Sequence, residues 1–185
     1  MLRVASGREK GRKLRSLKSL RPTEEQVRTA LFNSLGTRLE GARFLDLFAG
    51  TGIVGIEALS RGAKEAWFVD REWKCIELIK ENLKECNFEE RGRVFHTDAR
   101  KAVSLFSKRG ERFDIVFLDP PYKRIDLLLE TLQLIGEEDI LREDGLCVVQ
   151  HLSNILLPDE IGKLRKRNEK KFGTTTLTIY GREEI

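Results

Sequence analysis

The segment at residues 116–122 (VFLDPPY) is an apolar run that ends in an acid, two prolines and an aromatic residue. Proline can continue neither a strand ladder nor a helix interior, and two adjacent prolines occur by chance about once in 400 positions. Asp119 can accept hydrogen bonds, Pro120 and Pro121 fix the backbone carbonyls beside it, and the ring of Tyr122 can stack on a planar ligand. The segment predicts a rigid, ligand-facing loop at the end of a strand.

A second segment, residues 46–55 (DLFAGTGIVG), contains a glycine turn. Gly50, Gly52 and Gly55 satisfy the G-x-G-x-x-G spacing, and Asp70 lies 20 residues beyond Gly50. Glycines let the backbone approach a ligand closely, and an acid at the end of the next strand can accept hydrogen bonds from both ribose hydroxyls. The turn therefore predicts a site for an adenosine-type cofactor.

Both dinucleotides and S-adenosylmethionine are bound by such turns, so the glycine spacing leaves the choice open. The carboxylate of Asp46 favours S-adenosylmethionine, because it would repel a pyrophosphate but attract the cationic methionine end. Asp98, at the end of the third strand, is placed to meet the adenine amino group, with Arg71 as a neighbour of the adenine. The predicted cofactor-binding residues are Asp46, Phe48, Ala49, Gly50, Thr51, Gly52, Asp70, Arg71, Asp98 and Ala99.

The elements that position these segments alternate between strand and helix patterns, which indicates a parallel sheet with helices on both faces. Ligands bind such sheets at the carboxyl ends of the strands. The predicted strands cover residues 43–48, 66–70, 94–98, 113–119 and 146–150, and residues 170–172 and 174–180 form a closing antiparallel pair. We therefore predict an α/β fold with a Rossmann-like, doubly wound, seven-stranded sheet, mostly parallel with a C-terminal antiparallel strand.

Helical periodicity follows most of these strands. Helices are predicted over residues 23–35, where Thr23 begins a capping box, at about 52–60, and around 125–135. Trp73, Ile76, Ile79 and Leu83 form the apolar stripe of another helix, and Trp67 and Trp73 are both interpreted as core residues.

The amino-terminal residues are strongly basic. Residues 1–21 carry eight Lys or Arg against the single acid Glu9, a net charge of +7, whereas the whole chain carries +4. A basic arm on a slightly acidic body suggests a polyanionic partner. We divide the chain into an arm at 1–22, with a possible hairpin between 2–6 and 12–17, and a domain at 23–185. The candidate RNA-binding residues are Arg3, Arg8, Lys10, Arg12, Lys13, Arg15 and Arg21.

Composition excludes several classes of protein. With 40% apolar and 35% charged residues, the chain resembles a globular protein rather than a disordered or collagen-like one. No apolar run reaches the roughly 20 residues of a membrane span, and no signal peptide is evident, so we expect a cytoplasmic protein. The three cysteines have no metal-ligand spacing and are interpreted as buried, reduced thiols. No metal is expected, and we expect a monomer.

These motifs, read in order, resemble one family. RKL followed by LRPT, V-R-x-x-LFN, LDLFAGTG and EALSRG are similar to the RsmD family of small-subunit (16S) ribosomal RNA guanine-N2 methyltransferases, over nearly the whole chain. D-P-P-Y resembles the [NDS]-P-P-[YF] motif of S-adenosylmethionine-dependent enzymes that methylate planar amino nitrogens. The resemblance implies methyl transfer from S-adenosylmethionine to a guanine of ribosomal RNA within a small-subunit particle, with S-adenosylhomocysteine as the product.

The implied chemistry accounts for the residue types in the loop. An exocyclic amine is a poor nucleophile, because its lone pair is delocalised into the ring. Asp119 and the carbonyl of Pro120 would accept its two hydrogens and aim the lone pair at the methyl group. Tyr122 would stack on a flipped base. Since the amine loses its proton only after it becomes cationic, no metal, covalent nucleophile or dedicated base is needed, and His96 and His151 are interpreted as ordinary strand-end residues.

Four other functions remain open at this point. A DNA adenine-N6 or cytosine-N4 methyltransferase uses the same loop, but 185 residues leave no room for a sizeable target-recognition domain. A protein-glutamine methyltransferase also uses this motif type, although the basic arm fits nucleic acid better. A catalytically idle RNA-binding module and a dinucleotide-dependent enzyme are the remaining alternatives.

Overall fold

The computed structural model describes residues 2–15 and 25–182, so Arg21, Thr23 and the predicted capping box lie outside the described residues. The strands are β1 (Leu2–Arg3), β2 (Lys13–Leu14), β3 (Arg43–Asp46), β4 (Glu65–Asp70), β5 (Gly92–His96), β6 (Phe113–Leu118), β7 (Leu141–Leu152), β8 (Glu160–Ile161), β9 (Leu164–Phe172) and β10 (Thr175–Arg182). The helices are α1 (Glu25–Leu35), α2 (Ile53–Ser60), α3 (Trp73–Glu85), α4 (Ala99–Lys108) and α5 (Ile125–Glu137), with a 3-10 turn at Gly36–Leu39.

Strands β3 to β10 form one sheet in the order β5-β4-β3-β6-β7-β10-β9-β8. The first five of these are parallel neighbours, and β10, β9 and β8 continue the sheet with antiparallel pairing. The α/β prediction with an antiparallel C-terminal end is confirmed. The sheet has eight strands rather than seven, because β8 is only two residues long and leaves no periodic signal. The chain steps outward from β3 to β5 and returns to β6, so the switch point lies between β3 and β6.

Both faces of the sheet are covered by helices, as predicted. Adjacent residues of β3 point to opposite faces: Phe44 belongs to the cluster that contains Leu31 of α1 and Ile79 of α3. Leu45 belongs to a second cluster with residues of α4 and α5. None of the helices in the described part of the chain is long and apolar enough to cross a bilayer.

The two tryptophans differ in environment. Trp67 is buried among aromatic rings and is a core residue, as predicted. The prediction for Trp73 is wrong, because its side chain is 53% exposed. Trp73 is the first residue of α3, and its ring lies over His96, with 5.3 Å between the ring centroids. The apolar face of α3 instead uses Cys75, and all three cysteines are buried free thiols.

The basic arm packs against the body. β1 and β2 pair antiparallel, with Leu2 opposite Leu14 and Arg3 opposite Lys13, so a hairpin forms but is shorter than the predicted one. Val4 and Leu14 are buried in the core cluster of α1, α2 and α3. The backbone N–H groups of Ala5 and Ser6 donate to the two carboxylate oxygens of Glu57. The arm therefore has a defined position on α2.

Candidate active site

A cavity of about 480 Å³ opens at the carboxyl ends of the parallel strands. Nine of the ten predicted cofactor-binding residues line it, namely Asp46, Phe48, Ala49, Gly50, Thr51, Asp70, Arg71, Asp98 and Ala99, together with all four predicted loop residues, Asp119, Pro120, Pro121 and Tyr122. The structure therefore brings the two motifs into one space.

The glycine turn between β3 and α2 has a conformation that favours glycine. Gly50 and Gly52 have φ of +57° and +84°, a region that other residues rarely adopt. A Cβ atom on Gly50 would meet no heavy atom within 4 Å, so the space beside the turn is open. Gly52 does not line the cavity; it precedes the first residue of α2 and donates its N–H to the Ala49 carbonyl at 2.8 Å. Its role is to turn the backbone.

Asp46 is a buried carboxyl group at the floor of the cavity, 1% exposed. Its Oδ1 accepts the Phe48 N–H at 3.3 Å, and none of the described basic side chains forms an ion pair with it. Burial raises the pKa of Asp46 well above its ordinary value, and the neighbouring carboxylates Asp119 and Asp70 raise it further. A ligand with a positive charge would supply the counter-ion that the described residues do not.

The next acid along the sheet edge, Asp70, is held by the glycine turn. Its Oδ2 accepts the Gly50 N–H and its Oδ1 accepts the Glu72 N–H, each at 2.9 Å. Burial raises the pKa of Asp70 despite these hydrogen bonds. The Cys75 thiol also bonds to Asp70, and burial raises the pKa of that thiol to about 12. The carboxylate is thereby fixed at the cavity wall.

Asp98 caps the next helix. Its side chain accepts the Arg100 N–H at 2.8 Å, and the Arg100 guanidinium lies 3.0 Å from the same oxygen. These bonds to Arg100 hold the pKa of Asp98 below its ordinary value. The same residue faces the cavity, so its predicted contact with an adenine amino group would share the carboxylate with Arg100. Arg71 is an exposed residue on the cavity wall.

The loop after β6 begins with half-buried Asp119 and buried Pro120. The Arg124 N–H donates to the Pro121 carbonyl at 2.9 Å and closes the turn that leads into α5. Tyr122 is half-buried, and its hydroxyl lies 3.5 Å from Thr175 Oγ1 at the start of β10. The aromatic ring is therefore fixed from two sides of the loop.

The two predicted non-catalytic histidines have structural contacts. Nε2 of His151 lies 2.7 Å from Thr178 Oγ1 in the buried sheet, and burial lowers the pKa of His151. Nε2 of His96 lies 2.9 Å from the Arg71 carbonyl. Within the described ranges, no group of three or more His, Cys, Asp or Glu side chains is arranged to hold a metal ion.

The candidate RNA-binding residues are spread along the length of α2. The Arg8 N–H donates to the Ser60 carbonyl at the carboxyl end of α2, about 12 Å from its amino end, since α2 has eight residues. Arg15 lies at the other end, close to the glycine turn. Arg12 and Arg15 pair with Glu9 and Glu81. Arg3 donates its carbonyl as an acceptor to Arg28, and Arg21 is outside the described residues.

Three side chains that matter to this arrangement were missed in the sequence. Glu57 is fully buried and pairs with buried Arg28. Asn82, on the apolar face of α3, bonds to the Thr51 carbonyl at 2.8 Å and to the backbone of Arg15. Gln150 lies in the cavity wall. Each is a lone polar residue in an otherwise apolar segment, and that signal was available in the sequence.

Comparison with known proteins identifies the family. Residues 2–181 match the family model described as "Conserved hypothetical protein 95". The "Ribosomal RNA small subunit methyltransferase D" of Escherichia coli K12 is 34% identical over 98% of this chain and 90% of its own length. The "Putative rRNA methyltransferase YlbH" of Bacillus subtilis is 42% identical over 97% and 98%. The chain belongs to the RsmD family.

A solved structure agrees with this membership. The Escherichia coli structure titled "Putative methyltransferase yhhF" matches with a TM-score of 0.87 and 33% identity, covering 98% of each chain. The resemblance to the RsmD family predicted from the motifs is confirmed, and the chain has the α/β methyltransferase fold.

Proposed function

We propose that this protein transfers a methyl group from S-adenosylmethionine to the exocyclic N2 amine of a guanine in small-subunit (16S) ribosomal RNA, with S-adenosylhomocysteine as the product. The observation that carries the proposal is the placement of the Asp119 loop beside the glycine turn, in one cavity. Membership of the RsmD family and the names of its relatives support methylation of ribosomal RNA. The amine and the base are inferred from the chemistry of the loop.

The cavity suits S-adenosylmethionine in three respects. Its volume of about 480 Å³ is within the usual range for small-molecule sites. The carboxylate of Asp70 is positioned for ribose hydroxyls, and the open space beside Gly50 admits a ligand close to the backbone. Asp46 would balance the positive charge of the methionine end, for which a pyrophosphate would be a poor substitute. When bound, this cofactor supplies an electrophilic methyl group on a sulfonium.

The loop residues would prepare the nucleophile. Asp119 and the Pro120 carbonyl accept the two amine hydrogens, which localises the nitrogen lone pair and directs it at the methyl group. Tyr122 stacks on the base and keeps it in the plane that this alignment needs. After the N–C bond forms, the cationic nitrogen loses one proton to water at the open side of the cavity. Methyl transfer thus depends on alignment and electrostatics.

The substrate RNA would contact the basic arm. Arg15 is beside the glycine turn, whereas Arg8, Lys10 and Arg12 extend the basic surface along the hairpin, and Lys13 belongs to β2. Phosphate contacts release counter-ions, so removing three of these charges should flatten the salt dependence of RNA binding by up to roughly 0.7 in slope per lost contact with single-stranded RNA. A slope equal to that of the wild type would exclude the arm from RNA binding. We expect a monomer that acts in the cytoplasm on an assembled or assembling small-subunit particle.

A product assay tests the proposed activity. The protein is incubated with tritiated S-adenosylmethionine and either naked small-subunit RNA or small-subunit particles from cells that lack the modification. Nuclease digestion should then yield labelled N2-methylguanosine. Label in another nucleoside, or only in added DNA or protein, would contradict the proposal. Parallel reactions with an Asp119→Ala variant report the background.

A further inference from the structure

Gln150, near the end of β7, has a polar side chain that the fold itself does not satisfy. The residue is 4% exposed, and its Oε1 has no hydrogen-bond partner in the described part of the chain. More than nine in ten buried polar groups in proteins are hydrogen-bonded, so a buried carbonyl oxygen without a partner suggests that a partner comes from outside the chain. The same side chain lines the cavity that holds the glycine turn and the Asp119 loop.

The register of the sheet places Gln150 beside Asp119. Leu118 of β6 is opposite Val149 of β7, so Asp119 and Gln150 follow side by side on neighbouring strands. Phe117 and Val148 are opposite each other and lie in one hydrophobic cluster. Since side chains two residues apart on a strand share a face, Asp119 and Gln150 leave the sheet toward that same face.

Along the edge of the sheet, Gln150 is on the acceptor side of the cavity. Asp98, Asp70 and Asp46 follow β5, β4 and β3, and Asp119 follows β6. Gln150 is on β7, one strand beyond Asp119 and two beyond Asp46. A group bound between Asp46 and Asp98 therefore lies on the far side of Asp119 from Gln150. The partner of Gln150 should be the molecule that receives the methyl group.

The chemistry of the bases limits what that partner can offer. In guanine the ring atom next to the amine-bearing carbon is N1, which carries a hydrogen. In adenine and cytosine the corresponding ring nitrogen beside the amine has a lone pair and no hydrogen. A second acceptor next to Asp119 therefore complements guanine, which presents its amine and its N1–H side by side.

We propose that Gln150 is a specificity-determining residue whose Oε1 accepts the N1–H of the target guanine while Asp119 accepts from the N2 amine. The inference rests on the proposed guanine-N2 activity. No hydrogen bond fixes Oε1, so rotation about the last side-chain bond, which exchanges the amide oxygen and nitrogen, can turn it toward the base.

The test compares guanine with 2-aminopurine at the modified position of an RNA substrate. 2-Aminopurine keeps the amine but has no N1–H. Single-turnover rates with saturating S-adenosylmethionine give the guanine to 2-aminopurine ratio for the wild type, Gln150→Leu and Gln150→Glu. The matched control is Gln133→Leu, at an exposed position on α5. Calorimetry with S-adenosylhomocysteine verifies that each variant retains the cofactor site.

We expect the wild type and Gln133→Leu to prefer guanine by about tenfold or more, the worth of one buried hydrogen bond. Gln150→Leu should lose most of that preference by slowing on guanine, and Gln150→Glu, which keeps an acceptor oxygen, should retain it. A Gln150→Leu ratio equal to that of the wild type would overturn the inference, because a merely structural role would slow both bases alike. If the wild type produced no N2-methylguanosine, the proposed function would fail, and the inference would fail with it.

Discussion

Asn82 joins the arm to the glycine turn through Thr51. Its Nδ2 donates to the Thr51 carbonyl at 2.8 Å and to the Arg15 carbonyl at 3.1 Å, and its Oδ1 accepts the Arg15 N–H at 2.9 Å. The side chain is fully buried. One amide therefore fixes the end of the basic arm and the backbone of the turn in relation to each other.

We predict that Asn82→Ala weakens cofactor binding severalfold, because the turn loses a backbone contact, and lowers the free energy of unfolding by about 1–3 kcal/mol for the buried groups left without partners. Isothermal calorimetry with S-adenosylhomocysteine and urea denaturation measure the two effects. Asn168→Ala, at an exposed position on β9, is the matched control. Wild-type cofactor affinity in Asn82→Ala would mean that Asn82 does not support the turn.

The variant Asp46→Asn should separate stability from binding. Removing a buried carboxyl group that can carry a charge should leave the ligand-free protein as stable as the wild type or more so. The loss of a charged partner for the methionine end should weaken S-adenosylmethionine binding by about 2–5 kcal/mol. Thermal unfolding with and without ligand shows both effects. Tight binding by Asp46→Asn would remove Asp46 from the cofactor site.

The raised pKa of Asp46 also predicts the pH dependence. In the ligand-free protein, the folded state holds the Asp46 proton more tightly than the unfolded state. The resulting stability is fully present below the ordinary pKa of 3.8 and is lost as the pH rises through the raised folded-state value. Cofactor affinity should change in the opposite direction, falling as the pH drops through that value, because only the carboxylate attracts a cation. Calorimetry in buffers of different ionisation enthalpy should detect proton release on binding in the wild type, and less in Asp46→Asn.

Asp119→Ala should abolish methyl transfer while changing cofactor affinity little. The side chain lies on the acceptor side of the cavity, so its loss leaves the amine without one acceptor but leaves the glycine turn intact. Loss of one preorganised polar group in a transition state costs about 2.7–4 kcal/mol, or a rate decrease of roughly 100- to 1,000-fold. Single-turnover rates and calorimetry provide the two values. A turnover rate near that of the wild type would contradict the mechanism.

Glu57→Ala should be strongly destabilising. Glu57 and Arg28 are 0% and 2% exposed in their side chains, with 3.5 Å between Oε1 and Nε. Removing the acid leaves a buried guanidinium with less compensation, which costs about 3–5 kcal/mol, and also releases Ala5 and Ser6 of the arm. Urea denaturation gives the change in unfolding free energy. Glu81→Ala, which breaks the exposed Arg15–Glu81 pair, should cost about 1 kcal/mol or less; equal losses would show that burial is irrelevant here.

Much of the fold and cavity could be predicted from local patterns. The apolar runs ending in Asp46, Asp70 and Asp119 located three strand ends, and the rule that parallel strands present their carboxyl ends at one edge brought them together. Proline and glycine carry local backbone restrictions, so both loops were visible in the sequence.

What the sequence did not predict depends on contacts between distant residues. Trp73 fits the helical apolar spacing, but it is at the first position of α3, where it extends past the core. Likewise, the partners of Glu57 and Asn82 are backbone groups of the arm, 51 to 67 positions away. No periodic pattern encodes a side chain that bonds to another segment's backbone. The missing partner of Gln150 became visible only once its burial was known.

The docking of the arm sets an order of assembly during synthesis. Ala5 is separated from Glu57 by 52 positions, and Arg15 from Asn82 by 67. At about 5–20 residues per second, translation of those 67 residues takes roughly 3 to 13 seconds. Throughout that interval the nascent arm has no seat to occupy, and its cations remain available to whatever polyanion is nearest the emerging polypeptide. The first segment to leave the ribosome is therefore among the last to find its native position.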